Sequence, residues 1–151
     1  MARKLFLLGL DSLPPRSLYG DLSEHFEYLK GLAEDGSHFV MRSCRPPITV
    51  PAWQVMFTGK TPGELGIYGF RHKVRSGYDG YIVNSTHIRE ETLWDSLGRA
   101  GLSVGMYGVP PTYPPRPVRG FLVSDFTTPD PSKRYTFPPW LKEELERATG
   151  A

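Results

Sequence analysis

Lys4-Leu5-Phe6-Leu7-Leu8-Gly9-Leu10-Asp11 is the stretch on which the fold class turns. Its apolar run shows no polar alternation and stops at Asp11, Ser12 and Pro14, the pattern of a strand buried on both faces and ended by a polar turn. Beyond it, Leu22, Phe26, Leu29, Leu32 and Ala33 recur at helical spacing, with Asp21 placed to cap the start and Gly36 to end it. His38 to Ser43 predicts a second strand. Pro46-Pro47-Ile48-Thr49-Val50-Pro51 cannot be helical until Pro51 supplies a first turn, after which Ala52 to Thr58 form a short helix. Residues 59–89 lack a helical period and predict a long irregular excursion with a hairpin around Tyr78-Asp79-Gly80-Tyr81. A helical stripe of Leu93, Trp94, Leu97 and Ala100, closed by Gly101, leads into a strand over Leu102 to Tyr107, and Phe121 to Val123 repeats the buried-strand signal. The last helix is expected over Pro139 to Arg147, with Trp140, Leu141 and Leu145 inward. Strand and helix alternate, so the expected class is α/β with a largely parallel sheet flanked by helices.

The 151 residues fit one domain, 1–151, of ordinary size. Glycine (16) and proline (15) make up about a fifth of the chain, enough for many turns but below the level of low-complexity sequence. The 18 basic and 16 acidic residues are interspersed, for a net charge of +2, and no block of like charge points to a nucleic-acid or membrane partner. The single cysteine, Cys44, forms no internal disulfide, and no Cys/His spacing matches a zinc finger. The apolar run near the N-terminus is too short for a membrane span or a signal sequence. The expected location is cytoplasmic.

In open α/β sheets reactive groups collect at the carboxyl ends of strands, which is where Asp11 falls, as a natural metal ligand. The alternative is that Asp11 caps the next turn with Ser12. Thr49 precedes Pro51, which places its hydroxyl at the N-terminus of a short helix, where free N–H groups and the dipole favour an anion or an alkoxide. A threonine hydroxyl is a poor nucleophile unless a base or cation lowers its pKa, and the structural alternative is a plain helix cap. His25, His38, His72 and His87 have no His or Cys partner at a metal-ligand spacing and read mostly as structural; His72, between Arg71 and Lys73, can meet an anionic substrate from the loop, the leading alternative being a solvated basic loop. Asp125 ends a strand as Asp11 does, but Phe126 to Pro131 reads as an ordinary turn, so Asp125 is left out of the site. Gly59-Lys60-Thr61 is not a P-loop, because Gln54 stands where the motif needs glycine.

Gly9-Leu10-Asp11, Pro46 to Trp53, Thr58-Gly59-Lys60-Thr61-Pro62-Gly63 and Gly66-Ile67-Tyr68-Gly69-Phe70 together resemble the type I phosphodiesterase/nucleotide pyrophosphatase family of the alkaline phosphatase superfamily. Thr92-Leu93-Trp94-Asp95 and Val109 to Pro115 are similar to segments of its prokaryotic branch. The resemblance implies an alkaline-phosphatase-like fold and a two-metal hydrolase of small phosphoesters, usually with zinc, manganese or magnesium being alternatives. It further implies that Asp11 binds a metal, and that Thr49 binds a metal and attacks phosphorus to give a phospho-enzyme. Phe70 and His72 are then the candidate substrate contacts.

The chain departs from the family pattern at Leu65, where a histidine is usual, and at Phe70, where nucleotide pyrophosphatases carry an asparagine. The family's remaining metal ligands lie beyond the region resembled, so the expectation is the N-terminal portion of a larger fold that supplies part of the site. Such a portion would expose apolar surface and self-associate. The competing expectation is a noncatalytic phosphate-binding or assembly module derived from the family.

Overall fold

The computed structural model describes residues 4–74 and 79–150. The chain divides into two compact units, Met1–Arg42 and Ser43–Ala151.

The first unit is helical. It contains α1 (Pro15–Tyr19), a 3₁₀ turn at Ser23–Phe26 and α2 (Glu27–Asp35). The single helix expected from Asp21 onward is thus broken, and Asp21 caps neither piece: the residues before the two helical segments are Leu22 and Phe26, without side-chain caps. The two strands expected at Lys4 to Leu10 and His38 to Ser43 do not form. A strand exists only through ladder hydrogen bonds to a neighbour, and neither segment has one. Leu5 is 82% and Phe6 87% exposed, and Phe39, Val40 and Met41 are exposed as well, so the apolar runs that promised burial lie open.

The second unit carries α3 (Thr49–Thr58), α4 (Pro62–Leu65), the hairpin strands β1 (Arg71–Lys73) and β2 (Gly80–Ile82), a 3₁₀ turn at Ser85–His87, α5 (Leu93–Arg99), β3 (Val104–Tyr107), β4 (Gly120–Val123), β5 (Thr136–Phe137) and α6 (Leu141–Thr149). β1 and β2 are antiparallel, with His72 opposite Tyr81. A hairpin forms as expected, but not centred on Tyr78-Asp79-Gly80-Tyr81: Gly80 and Tyr81 belong to β2 and pair with Lys73 and His72, and Tyr78 lies outside the described residues. In the second sheet β3 runs parallel to β4, with Gly105 opposite Phe121, while β5 is antiparallel to β4. The class is therefore mixed α/β, but among the described residues the sheets are small and one of the three pairings is parallel, in place of the largely parallel sheet expected. The physical reason is that the apolar runs near the N-terminus join no ladder, so two of the expected parallel strands are missing.

Two glycines make the parallel pair close-packed. A Cβ on Gly120, which has φ +132°, would stand 2.0 Å from the carbonyl oxygen of Val104. A Cβ on Gly105 would stand 2.6 Å from the ring of Phe121. At the C-terminal end, Leu141 and Leu145 are half-buried as expected, but Trp140 precedes α6 and is exposed.

Candidate functional site

The start of α3 is held from several sides. Val50, with no exposed surface, packs in one cluster with Ile67, Val83 and Ile88, and Leu65 leans against it. These side chains come from α3, the turn after α4, the residue following β2, and the end of the 3₁₀ turn, so burial of one apolar group at each fixes where α3 begins. Further along α3, Phe57 is buried between Trp53, at 5.9 Å between ring centroids, and Trp94 of α5, at 5.3 Å. The fully buried Gln54 donates through Nε2 to the carbonyl of Pro110 at 3.1 Å, and its Oε1 has no hydrogen-bond partner among the described residues. Gly59, at φ 68°, closes the helix by donating its N–H to Val55.

Thr49 occupies the first position of α3, one residue past the cap. The capping position is held by Ile48, in extended backbone, and no side chain caps the helix. The first intrahelical bond runs from the N–H of Ala52 to the carbonyl of Ile48 at 2.9 Å. The N–H groups of Thr49 and Val50 accordingly have no acceptor within the helix, and the proline at 51 has none to offer. Positive potential from these groups and from the helix dipole converges where the half-buried Thr49 side chain stands.

Two other threonines at helix starts behave differently. Thr61 accepts from the N–H of Glu64 while the Glu64 carboxylate accepts from the N–H of Thr61 at 2.8 Å, a complete capping box for α4. Those bonds, first from the Thr61 N–H and then from its hydroxyl, hold the Glu64 carboxyl below its usual range. Thr92 and Asp95 build the same box at α5. Gly59-Lys60-Thr61 thus serves to end one helix and cap the next, consistent with its exclusion as a P-loop.

Ile48 reaches Gly69 so closely that a Cβ there would lie 3.9 Å from its Cδ1. Phe70 follows, and its ring faces that of Phe126 with centroids 6.1 Å apart. Phe126 was passed over in the sequence because a lone aromatic in a turn segment carries no periodicity.

His72 sits on β1 with Tyr68 stacked against it at 6.2 Å and Tyr81 tilted against it at 5.7 Å between centroids. Its Nε2 accepts the N–H of Tyr68 at 3.1 Å. Arg71 and Lys73 are exposed and, by strand alternation, face the other side from His72. Asp125 is buried, with Oδ2 accepting the N–H of Thr112 at 2.6 Å and Oδ1 the N–H of Thr127 at 2.8 Å. These bonds clamp the chain where it leaves β4. A cavity of about 20 Å³ between Ile88, Thr92, Trp94 and Arg116 has room for one water and none for a phosphoester.

Asp11 belongs to the other unit, on an exposed turn. It accepts the hydroxyl hydrogen bond of Ser12 at 3.0 Å, and Ser12 takes left-handed backbone at φ 59°. Among the described residues no group of three or more His, Cys, Asp or Glu is gathered as a metal ion would need. Nor is any described helix long and apolar enough to cross a membrane.

What these features define is an α/β chain that presents a threonine at the positive end of a well-anchored helix. A model of the type I phosphodiesterase / nucleotide pyrophosphatase family matches residues 5–149, and the chain belongs to that family. At the level of the family it is a hydrolase of the phosphodiesterase and pyrophosphatase type, acting on phosphoesters, and the family is in general metal-dependent. No curated protein and no solved structure matches the chain.

Proposed function

We propose that the chain takes part in hydrolysis of phosphoric esters with Thr49 as the phosphoryl acceptor. The observation that carries this is the placement of Thr49 at the first position of α3 with no capping duty, in a chain of a phosphoester-hydrolysing family. In the first half-reaction the Thr49 hydroxyl gives up its proton and Oγ1 attacks phosphorus in line, while the bond from phosphorus to the leaving oxygen breaks and that oxygen takes a proton. In the second, water attacks the phosphothreonine, the bond from Oγ1 to phosphorus breaks, and the threonine regains its proton. The uncommitted N–H groups of the first turn of α3 favour the charge on the transferring group.

Asp11 is proposed as one carboxylate ligand to a divalent metal, zinc with manganese or magnesium as alternatives. Full coordination then needs ligands beyond the described residues, since no sufficient group is gathered among them. This supports a chain that supplies part of the site. The exposed apolar segments around Leu5 and Phe39 support self-association as the fate of the isolated chain. A noncatalytic anion-binding module is favoured by the same lack of a gathered ligand group.

The test is hydrolysis of bis-p-nitrophenyl phosphate and p-nitrophenyl phosphate with zinc, with manganese and with EDTA, beside Thr49→Ala and Asp11→Ala. Metal-dependent turnover lost in both variants is the expected result for a complete site assembled by association. Turnover that survives Thr49→Ala refutes the assignment of the nucleophile. Phosphate binding without turnover in any metal, in this chain and in a longer one, favours the binding module.

A further inference from the structure

We propose that His72 and His87 form an acid-sensitive latch on the β1–β2 hairpin: neutral, they tie both of its ends to the backbone beside them, and protonated, they let go. The inference is independent of any role for Thr49. Ahead of the hairpin, the N–H of Tyr68 donates to Nε2 of His72 at 3.1 Å. Behind it, the N–H of Asn84 donates to Nδ1 of His87 at 3.1 Å. A neutral imidazole has one acceptor nitrogen, the other carrying its proton. In both rings that acceptor is committed to a main-chain N–H, so a second proton has only the committed nitrogen to go to, and taking it sets N–H against N–H. Charging either ring therefore breaks its tie.

The two rings are joined through Tyr81, which stands opposite His72 in the ladder with ring centroids 5.7 Å apart and stacks on His87 at 4.7 Å. Tyr68 stacks on His72 at 6.2 Å. The titratable side chains in ring contact with the imidazoles are thus the phenols of Tyr68 and Tyr81. The charged neighbours of His72 along β1 are Arg71 and Lys73, and beside His87 Arg116 donates to the carbonyl of Ile88 at 3.2 Å. None of these groups offers an imidazolium an anion. Tyr68 and Tyr81 are exposed and the imidazoles half-buried, so water reaches the latch. The ties also adjoin the core: Ile67 precedes Tyr68, Val83 precedes Asn84 and Ile88 follows His87, and all three belong with Val50 to one cluster. A folded state that requires both rings neutral binds fewer protons than the unfolded chain. Its stability is therefore lost as pH falls through the range in which free imidazole charges.

The test uses the full chain and two readings. Long-range proton–nitrogen NMR correlation at about pH 7.5 identifies which ring nitrogen carries the proton. Nδ1 in His72 and Nε2 in His87 are expected, and the opposite tautomer in either ring overturns the inference. Urea unfolding is then followed by tryptophan fluorescence, because Trp53, Trp94 and Trp140 all lie in the second unit while His25 and His38 lie in the first. Between about pH 7.5 and about pH 5.5 the folded-to-unfolded ratio is expected to fall about ten- to a hundredfold, since each ring contributes up to about tenfold per pH unit. His72→Gln with His87→Asn sets an amide oxygen near each acceptor position, where it takes the N–H at every pH, and the fall should shrink below about twofold. A fall of the same size in that variant overturns the inference, as does a parent ratio that does not move with pH. Each single substitution is expected to remove about half of the fall on a logarithmic scale, and these carry the test where the double variant does not fold.

Discussion

Three threonines stand at helix starts, and replacing each with alanine separates a cap from a spare hydroxyl. Thr61 and Thr92 close capping boxes in which the hydroxyl accepts the N–H of the third helical residue. Thr92 is also buried. Loss of a threonine cap costs about 1 kcal/mol, and the buried Thr92, whose departure leaves the Asp95 N–H without its acceptor, belongs toward about 2 kcal/mol. Thr49 caps nothing. Alanine at that position gains up to about 0.7 kcal/mol of helix propensity and loses the burial of a half-covered methyl, worth about 0.5 kcal/mol, so the net change is within about 0.5 kcal/mol of zero. The assay is urea unfolding followed by circular dichroism, with equal slopes for all three variants as the condition for comparing midpoints. The expected order of destabilisation is Thr92→Ala, then Thr61→Ala, then Thr49→Ala close to the parent. Thr49→Ala as destabilising as Thr92→Ala would refute the reasoning, because the hydroxyl would then be holding the helix and would not be free for phosphorus.

The glycines of the parallel pair are expected to differ in the same assay. Gly120→Ala drives a Cβ into the Val104 carbonyl at a φ that alanine avoids, and should cost about 3 kcal/mol or more. Gly105→Ala meets only the far edge of the half-exposed Phe121 ring, which can swing aside, and should cost about 1 kcal/mol. Asp125→Asn puts an amide N–H₂ against a backbone N–H that now donates to the carboxylate, and should lower stability by about 2 kcal/mol, read from the denaturation midpoint. The pH dependence has a definite sign. The Glu64 carboxyl is lowered by Thr61, Glu91 by the Ser96 hydroxyl and then Arg99, and Asp130 by the Ser132 hydroxyl. Carboxyls held below their unfolded values contribute stability that is present above those values and is lost as pH falls through the folded ones. The thermal midpoint should therefore decline as pH drops below about 4, with Glu64→Gln and Glu91→Gln together flattening the decline. A midpoint equally acid-sensitive in the double variant would refute it.

Much of the second unit was legible in the sequence, because its elements are specified locally. The apolar stripe closed by Gly101 became α5, and the runs ending at Tyr107 and Val123 became β3 and β4. The Tyr and Gly residues near 80 became a hairpin, since turn chemistry and alternation act over a few residues. The start of α3 was misplaced by two residues: Pro51 fits any position in a first helical turn, and burial of Val50 draws the helix back to Thr49.

The sequence by itself determined the family, through short motifs around Asp11, Thr49 and Gly66, and the α/β class, through patterns of local period. Only the tertiary structure decided the rest. Lys4 to Leu10 has every property of a buried strand save a neighbour, and a strand is made by its partner's N–H and C=O groups, which no local pattern contains. Whether a threonine at a helix start caps or stays free depends on which backbone N–H groups its hydroxyl meets, a matter of one residue's φ and ψ that separates Thr49 from Thr61 and Thr92. The pairing of Phe70 with Phe126, far apart in the chain, joins two backbones that are held through Val83 and Asp125.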